Sequence, residues 1–269
     1  MPTAQVNGIE IAYEIRGAGP PLLMIAGFRR SRVIWMDALA ESLARRWQLI
    51  LMDNRGTGDS SKPQDGYSIG AFAEDCAGLL ASLGIPRAHV FGVSMGGMIA
   101  QRLASSHPGV VRGLVIGCSH CGKSRSLLAE KRIWELLRLT PGPGLDARAI
   151  ALRQEEAYFT AEFRAANRPL LDRLFDVVSA NPTPTHAVRG HLAAIDNWEG
   201  CADLGRIVAP TLVITGSQDP LIPPGNSKII AAAIPGAKLR LLDDASHFFW
   251  VETPLETASA LTEFLSAVS

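Results

Sequence analysis

Residues 88–100 read AHVFGVSMGGMIA, and Gly92-Val93-Ser94-Met95-Gly96 inside them has the pattern G-x-S-x-G. Val90, Phe91 and Val93 form a short apolar run before Ser94, and Met98, Ile99 and Leu103 follow at helical spacing, so the pattern sits at a strand-to-helix junction. A serine hydroxyl is a weak nucleophile at neutral pH. It becomes useful when a sharp turn presents it bare, beside a base and facing oxyanion donors. Side chains two residues before and two after the serine would collide with a neighbouring strand or helix, which accounts for Gly92 and Gly96, while Gly97 allows still closer helix packing. A dinucleotide-binding loop would need glycine where Ser94 stands. An ordinary tight turn is the competing reading, and it weakens only if the other catalytic parts occur in order.

They do. After the strand-like run Leu212–Thr215 comes GSQDP, with Asp219 on a loop, and after the strand-like run Leu239–Leu242 comes DDASH, with His247 on the next. The chain order Ser94, Asp219, His247 is that of the α/β-hydrolase superfamily and differs from the orders of unrelated serine proteases. With LMDNRGTGDSSKP (51–63), FGVSMGGMIAQ (91–101), VITGSQDPLIPP (213–224) and DDASHFFWVETP (243–254), the sequence resembles an α/β-hydrolase over essentially its full length. The resemblance implies an α/β fold with a mostly parallel central sheet, helices on both faces and a helical cap inserted after strand 6. It places the core at 1–121 and 206–269 and the cap at 122–205.

The resemblance also implies roles. Ser94 would attack a carbonyl, His247 would carry its proton to the leaving group, and Asp219 would orient the imidazole. The backbone N–H groups of Met95 and Phe28 would hold the oxyanion. Many relatives carry His-Gly before the latter residue, whereas this chain has Ala26-Gly27, so a side chain that braces the loop is missing. Some members place the acid one strand earlier, but Cys118, Ser119 and His120 stand there, which favours Asp219. Asp243 and Asp244 read as loop-capping residues. His89, His107, His120, His186 and His191 do not follow the last strand and read as structural or surface residues.

Alternating strands (Ile9–Ile15, Leu22–Ile25, Leu49–Met52, Val90–Val93, Leu114–Ile116) and helices (Val33–Arg45, Ile69–Leu83, Met95–Ser105) run to about Ser119. From Gly122 to about Gly205 the pattern is helical, with Leu127–Leu139, Ala147–Tyr158 and Leu170–Ser179 separated by turns at 141–144 and 181–184. That segment holds eleven basic and eleven acidic residues, so it offers no net field for a charged substrate. Apolar recognition is expected, with Trp198, Phe163, Leu221 and Phe248 as candidate substrate contacts; Trp134, Phe159 and Phe175 are further aromatic candidates, and helical core packing is the commoner fate of such residues. Arg29, Arg30 and Arg32 read as a solvated basic loop, and Asp53-Asn54-Arg55-Gly56-Thr57-Gly58 as a turn that buttresses the catalytic loops.

At 269 residues, 47% hydrophobic and 19% charged, the chain fits a globular enzyme, and 26 basic against 26 acidic residues argue against nucleic-acid binding. No apolar run is long enough to span a membrane, no secretory signal is visible at the start, and a cytoplasmic location is expected. The four cysteines are too scattered for a disulfide framework and are expected to be reduced; Cys118-x-x-Cys121 lacks a second pair for a zinc site, so neither metal nor cofactor is expected. The expected partner is a small-molecule substrate, an apolar ester or lactone, with no nucleic acid or membrane partner, and homo-oligomerisation stays open. Within the superfamily the sequence resembles the esterase and 3-oxoadipate enol-lactonase branch. Carbon–carbon bond hydrolysis, aminopeptidase activity and cofactor-free haloperoxidase or perhydrolase chemistry use the same triad, and a ligand-binding receptor-like homologue is the non-enzymatic alternative.

Overall fold

The computed structural model describes residues 1–35, 37–139 and 142–268. Among them eight strands form one sheet: β1 (Thr3–Val6), β2 (Ile9–Arg16), β3 (Pro21–Ile25), β4 (Gln48–Met52), β5 (Ala88–Val93), β6 (Val111–Gly117), β7 (Thr211–Gly216) and β8 (Lys238–Leu242). Their order is β1-β2-β4-β3-β5-β6-β7-β8. The β1–β2 and β2–β4 pairs are antiparallel and every later pair is parallel. Strands β5 and β7 are buried along their whole length, the pattern of parallel strands covered on both faces. Strand β1 lies outside the strands expected from the sequence. It is short and half exposed, and its signal is the Asn7-Gly8 pair, whose positive φ values of 50° and 80° close a two-residue hairpin onto β2.

The helices that cover the sheet follow from apolar periodicity. These are α1 (Asp37–Ala44), α2 (Ile69–Ser82) and α3 (Met95–Ser106). Ser68 caps α2 by accepting from the Ala71 N–H. The single helix expected over 33–45 is a 3-10 turn, Arg32–Trp35, followed by α1; Met36, inside that expectation, lies outside the described residues.

Between β6 and β7 come α4 (Lys131–Leu137), α5 (Ala147–Tyr158), α6 (Ala161–Ala166), α7 (Arg168–Ser179) and α8 (Thr185–Asp196), then a 3-10 turn at Cys201–Arg206. Pro141, the first residue of one expected turn, lies outside the described residues. The chain leaves β6 and returns to β7 through one neck, where Gly122 bridges Glu199 and the Gly200 N–H donates to the Cys121 carbonyl at 2.7 Å. At that neck Cys121 and Cys201 form a disulfide across 80 residues, so the expectation of reduced cysteines is corrected. The partner of the C-x-x-C motif is a distant cysteine, invisible to local spacing. This removes the cysteine-based reason for a reducing compartment. Cys76 and Cys118 are free and buried.

Closing a loop of 80 residues restricts the unfolded chain by about 4.5 kcal/mol in the chain-entropy model. Cys201→Ala is therefore expected to lower the urea midpoint substantially, and reductant should lower the wild type to the same point. Equal midpoints for wild type with and without reductant would exclude a stabilising bridge.

After β7 come α9 (Gly225–Ala233), then β8, α10 (Phe249–Glu252) and α11 (Pro254–Ala267). Helix α11 packs beside α1, and α2 beside α3. Among the described residues no helix is long and apolar enough to cross a membrane.

Candidate active site

Ser94 occupies the junction of β5 and α3 with φ 55° and ψ −121°, a conformation that L-residues rarely adopt. Its neighbours make the conformation tolerable. A Cβ on Gly92 would stand 2.1 Å from the Gly96 carbonyl oxygen, and one on Gly96 would stand 2.1 Å from that of Ile25 in β3. The Ser94 N–H donates to the Gly117 carbonyl at 2.9 Å, and the Ser94 carbonyl accepts from the Gly97 N–H and the Ser119 hydroxyl, each at 2.9 Å. These bonds hold the turn while leaving the Ser94 side chain on a cavity wall.

Asp219 lies on the loop after β7 and His247 on the loop after β8. The loops are knit together: the Ser217 N–H donates to the Leu242 carbonyl and the Gln218 N–H to the Ala245 carbonyl, both at 2.9 Å. Asp219 Oδ1 accepts from the N–H groups of Leu221 and Ile222 at 2.9 and 2.8 Å. Its Oδ2 lies 2.8 Å from His247 Nδ1. A carboxylate can only accept, so Nδ1 carries a proton and donates it to Asp219. Both residues are buried. Burial disfavours the imidazolium, but the Asp219 charge and hydrogen bond, with the nearby Cys118 sulfur, outweigh it and hold His247 well above its ordinary value of 6.5. The Cys118 thiol, pushed up by its own burial, completes a trio with Asp219 and His247 whose polar atoms lie within 4.8 Å of one another. Asp244 is exposed and accepts from Gln218 Nε2 at 3.3 Å.

The loop after β3 faces Ser94: a Cβ on Gly27 would come within 3.1 Å of the Ser94 Cβ. No histidine precedes Gly27, and other groups hold the loop. Asn54 Nδ2 donates to the Ala26 carbonyl at 2.9 Å, Asp53 Oδ1 accepts from the Arg32 N–H at 2.7 Å, and the Arg32 guanidinium pairs with Asp53 and Asp59. Buttressing by the segment at 53–58 is thus direct. Arg32 is 9% exposed, which corrects its reading as a solvated residue. From the segment between β6 and β7, the buried His191 ring packs 6.2 Å from Phe28 while its Nε2 contacts the Arg55 carbonyl at 2.9 Å. Among the described residues neither the Phe28 nor the Met95 N–H has a protein acceptor.

Ser94 and His247 line one cavity together with Phe28, Leu221, Phe248, Trp134 and Tyr158. Trp198 and Phe163 do not line this cavity. Trp198 is buried, with Nε1 donating to the His120 carbonyl at 3.3 Å, and Phe163 stacks on Phe159. His120, read as a structural residue, lies in the cavity wall. Its Nδ1 accepts from the Gly122 N–H at 3.1 Å, and burial pushes its imidazole down to about 4, so at neutral pH it presents a neutral ring with Nε2 protonated. Only the chain path around the neck reveals this. The remaining histidines have other partners: His89 packs edge-on against Trp47, His107 meets Glu74, and His186 Nε2 lies 3.1 Å from the Lys62 carbonyl.

The His247 loop is tied to the helical segment. The Phe248 N–H donates to the Tyr158 carbonyl at 2.9 Å, and Glu252 accepts from Ser246 on one side and from the Thr160 N–H and hydroxyl on the other.

A family model described as the alpha/beta hydrolase fold matches residues 20–254. The chain is 31% identical over 254 residues to a putative carbamate hydrolase RutD of Azorhizobium caulinodans, covering 94% of each. Among solved structures it is similar to the enol-lactonase of Burkholderia xenovorans, with TM-score 0.84 and 26% identity, covering 98% of this chain and 100% of that one. It is also similar to a hydrolase of Pseudomonas aeruginosa, with TM-score 0.85 and 30% identity, covering 98% and 97%.

Proposed function

The chain belongs to the alpha/beta hydrolase fold family and is a hydrolase, and from that premise we propose that it cleaves small carboxylic esters or lactones through Ser94, His247 and Asp219. One observation carries the reading: a strained serine at a strand-to-helix turn shares a cavity with a histidine whose far nitrogen is bound to a buried carboxylate.

In this mechanism the Ser94 oxygen bonds to the substrate carbonyl carbon as His247 Nε2 takes the hydroxyl proton. The carbonyl π pair moves onto oxygen, and the resulting oxyanion is held by the N–H groups of Phe28 and Met95. The intermediate collapses, the leaving oxygen takes the proton from His247, and an acyl-enzyme remains. Water repeats the cycle and restores Ser94. Asp219 keeps its charge throughout and stabilises the imidazolium. The segment at 122–205 forms a cap over the reacting centre, with Trp134 and Tyr158 in contact with the acyl or leaving group. The RutD-like relative extends the candidate carbonyls to carbamates, which the same steps would cleave.

A fluorophosphonate probe is expected to label Ser94 stoichiometrically in the wild type and not in Ser94→Ala, read by intact mass. Absence of labelling together with no turnover on an ester, lactone and carbamate panel would favour a receptor-like homologue.

A further inference from the structure

Three arginines follow the oxyanion loop, and the structure separates their fates. Arg32 is paired with Asp53, Asp59 and Glu14. Arg29 and Arg30 are half-buried and have no carboxylate partner among the described residues. The Arg30 guanidinium carbon lies 5.3 Å from the Tyr158 ring centre and 5.7 Å from that of Phe248; that of Arg29 lies 5.7 Å from Phe28. These rings carry no formal charge to offset the cations, and partly desolvated unpaired charge is costly.

A second cavity adjoins the one beside Ser94. Arg30, Tyr158 and Phe248 belong to both walls, so Arg30 stands at the boundary between them. Arg29 also faces the second cavity, whose body is apolar, with Ile150, Leu171 and Phe175 in its wall. The acid that lines it, Glu155, is held bidentately by Arg168 at 2.7 and 2.8 Å and is unavailable to either arginine. Burial, and then the charge of Arg30, push the Arg29 guanidinium down from its ordinary value. A bound anion would relieve both effects.

Resting on the serine-hydrolase reading, we propose that Arg29 and Arg30 form an anion subsite, and that the substrate is a carbonyl compound carrying a carboxylate on a short apolar linker from the bond cleaved. The net neutrality of the segment at 122–205 conceals this. The field at the site comes from two residues of the loop after β3, not from the helices above it.

The test uses matched substrates on the whole enzyme. Mono-4-nitrophenyl glutarate against 4-nitrophenyl pentanoate places the carboxylate on the acyl side; 4-acetoxybenzoate against its methyl ester places it on the leaving group. At least one anionic-to-neutral ratio of kcat/KM should fall roughly tenfold to a hundredfold in Arg30→Gln, fall also in Arg29→Gln, and largely survive in Arg30→Lys, which keeps the charge. The same ratio in the wild type should decline with added salt. In Ser94→Ala protein, glutarate binding measured by calorimetry should weaken in the same two glutamine variants. Ratios and glutarate binding that ignore all three substitutions would overturn the subsite while leaving neutral-ester turnover to speak for the hydrolase. Absence of both Ser94 labelling and neutral turnover would instead overturn the hydrolase reading itself.

Discussion

Ser94→Ala should lower ester turnover by at least roughly a thousandfold while leaving far-ultraviolet circular dichroism and the urea midpoint close to wild type. The main-chain turn is held by the bonds from Ser94 N–H and to its carbonyl, and by glycines that let β3, β5 and α3 approach. None of these uses the hydroxyl. The substitution therefore deletes the nucleophile and little else. The residual rate should reflect oxyanion donors that persist, because both proposed donors are main-chain N–H groups. Turnover within tenfold of wild type would remove Ser94 from the chemistry and with it the acyl-enzyme.

Asp219→Asn should cost about three to four orders of magnitude in kcat, because an amide can offer its N–H to His247 and so favour the tautomer with the proton on the wrong nitrogen. The pH profile gives an independent reading. Protonated His247 cannot accept the serine proton, so kcat/KM should rise with pH through an apparent pKa above 6.5, in line with the raised value of the folded protein. The Asp219 charge is the chief cause that raises it, opposing burial; with that charge removed, burial wins and the acid limb should move to lower pH. Asp244→Asn, at an exposed position, should leave the limb where it is. A larger effect from Asp244 than from Asp219 would reverse the assignment of the acid.

The fold was legible because its evidence is local and repeated. Apolar or alternating runs of three to seven residues, separated by helical periodicity, mark seven of the eight strands, and the elbow glycines announce a close approach that the structure shows between β5, α3 and β3. Where the local signal was short, as at β1, only the Asn7-Gly8 hairpin pair spoke for it. The helices of the segment at 122–205 were legible in outline, whereas α6 and α8 were not singled out. Six-residue α6 is set by its Thr160 cap more than by any periodic face.

The sequence by itself determined the order of elements, the loops that carry Ser94, Asp219 and His247, and the sharp turn under the serine, since each depends on residues within a few positions of one another. Tertiary structure alone decided which side chains meet. Cys121 and Cys201 are 80 residues apart, the Phe248 N–H reaches the Tyr158 carbonyl across 90, and Arg30 stacks on residues from two distant segments. The same holds for the aromatics: Trp134 borders the serine's cavity, while the buried Trp198 donates to the His120 carbonyl. Periodicity tells which face of a helix is apolar. It carries no information on whether that face meets packed core or an open cavity, because that depends on how the neck and the loops seat one segment over another.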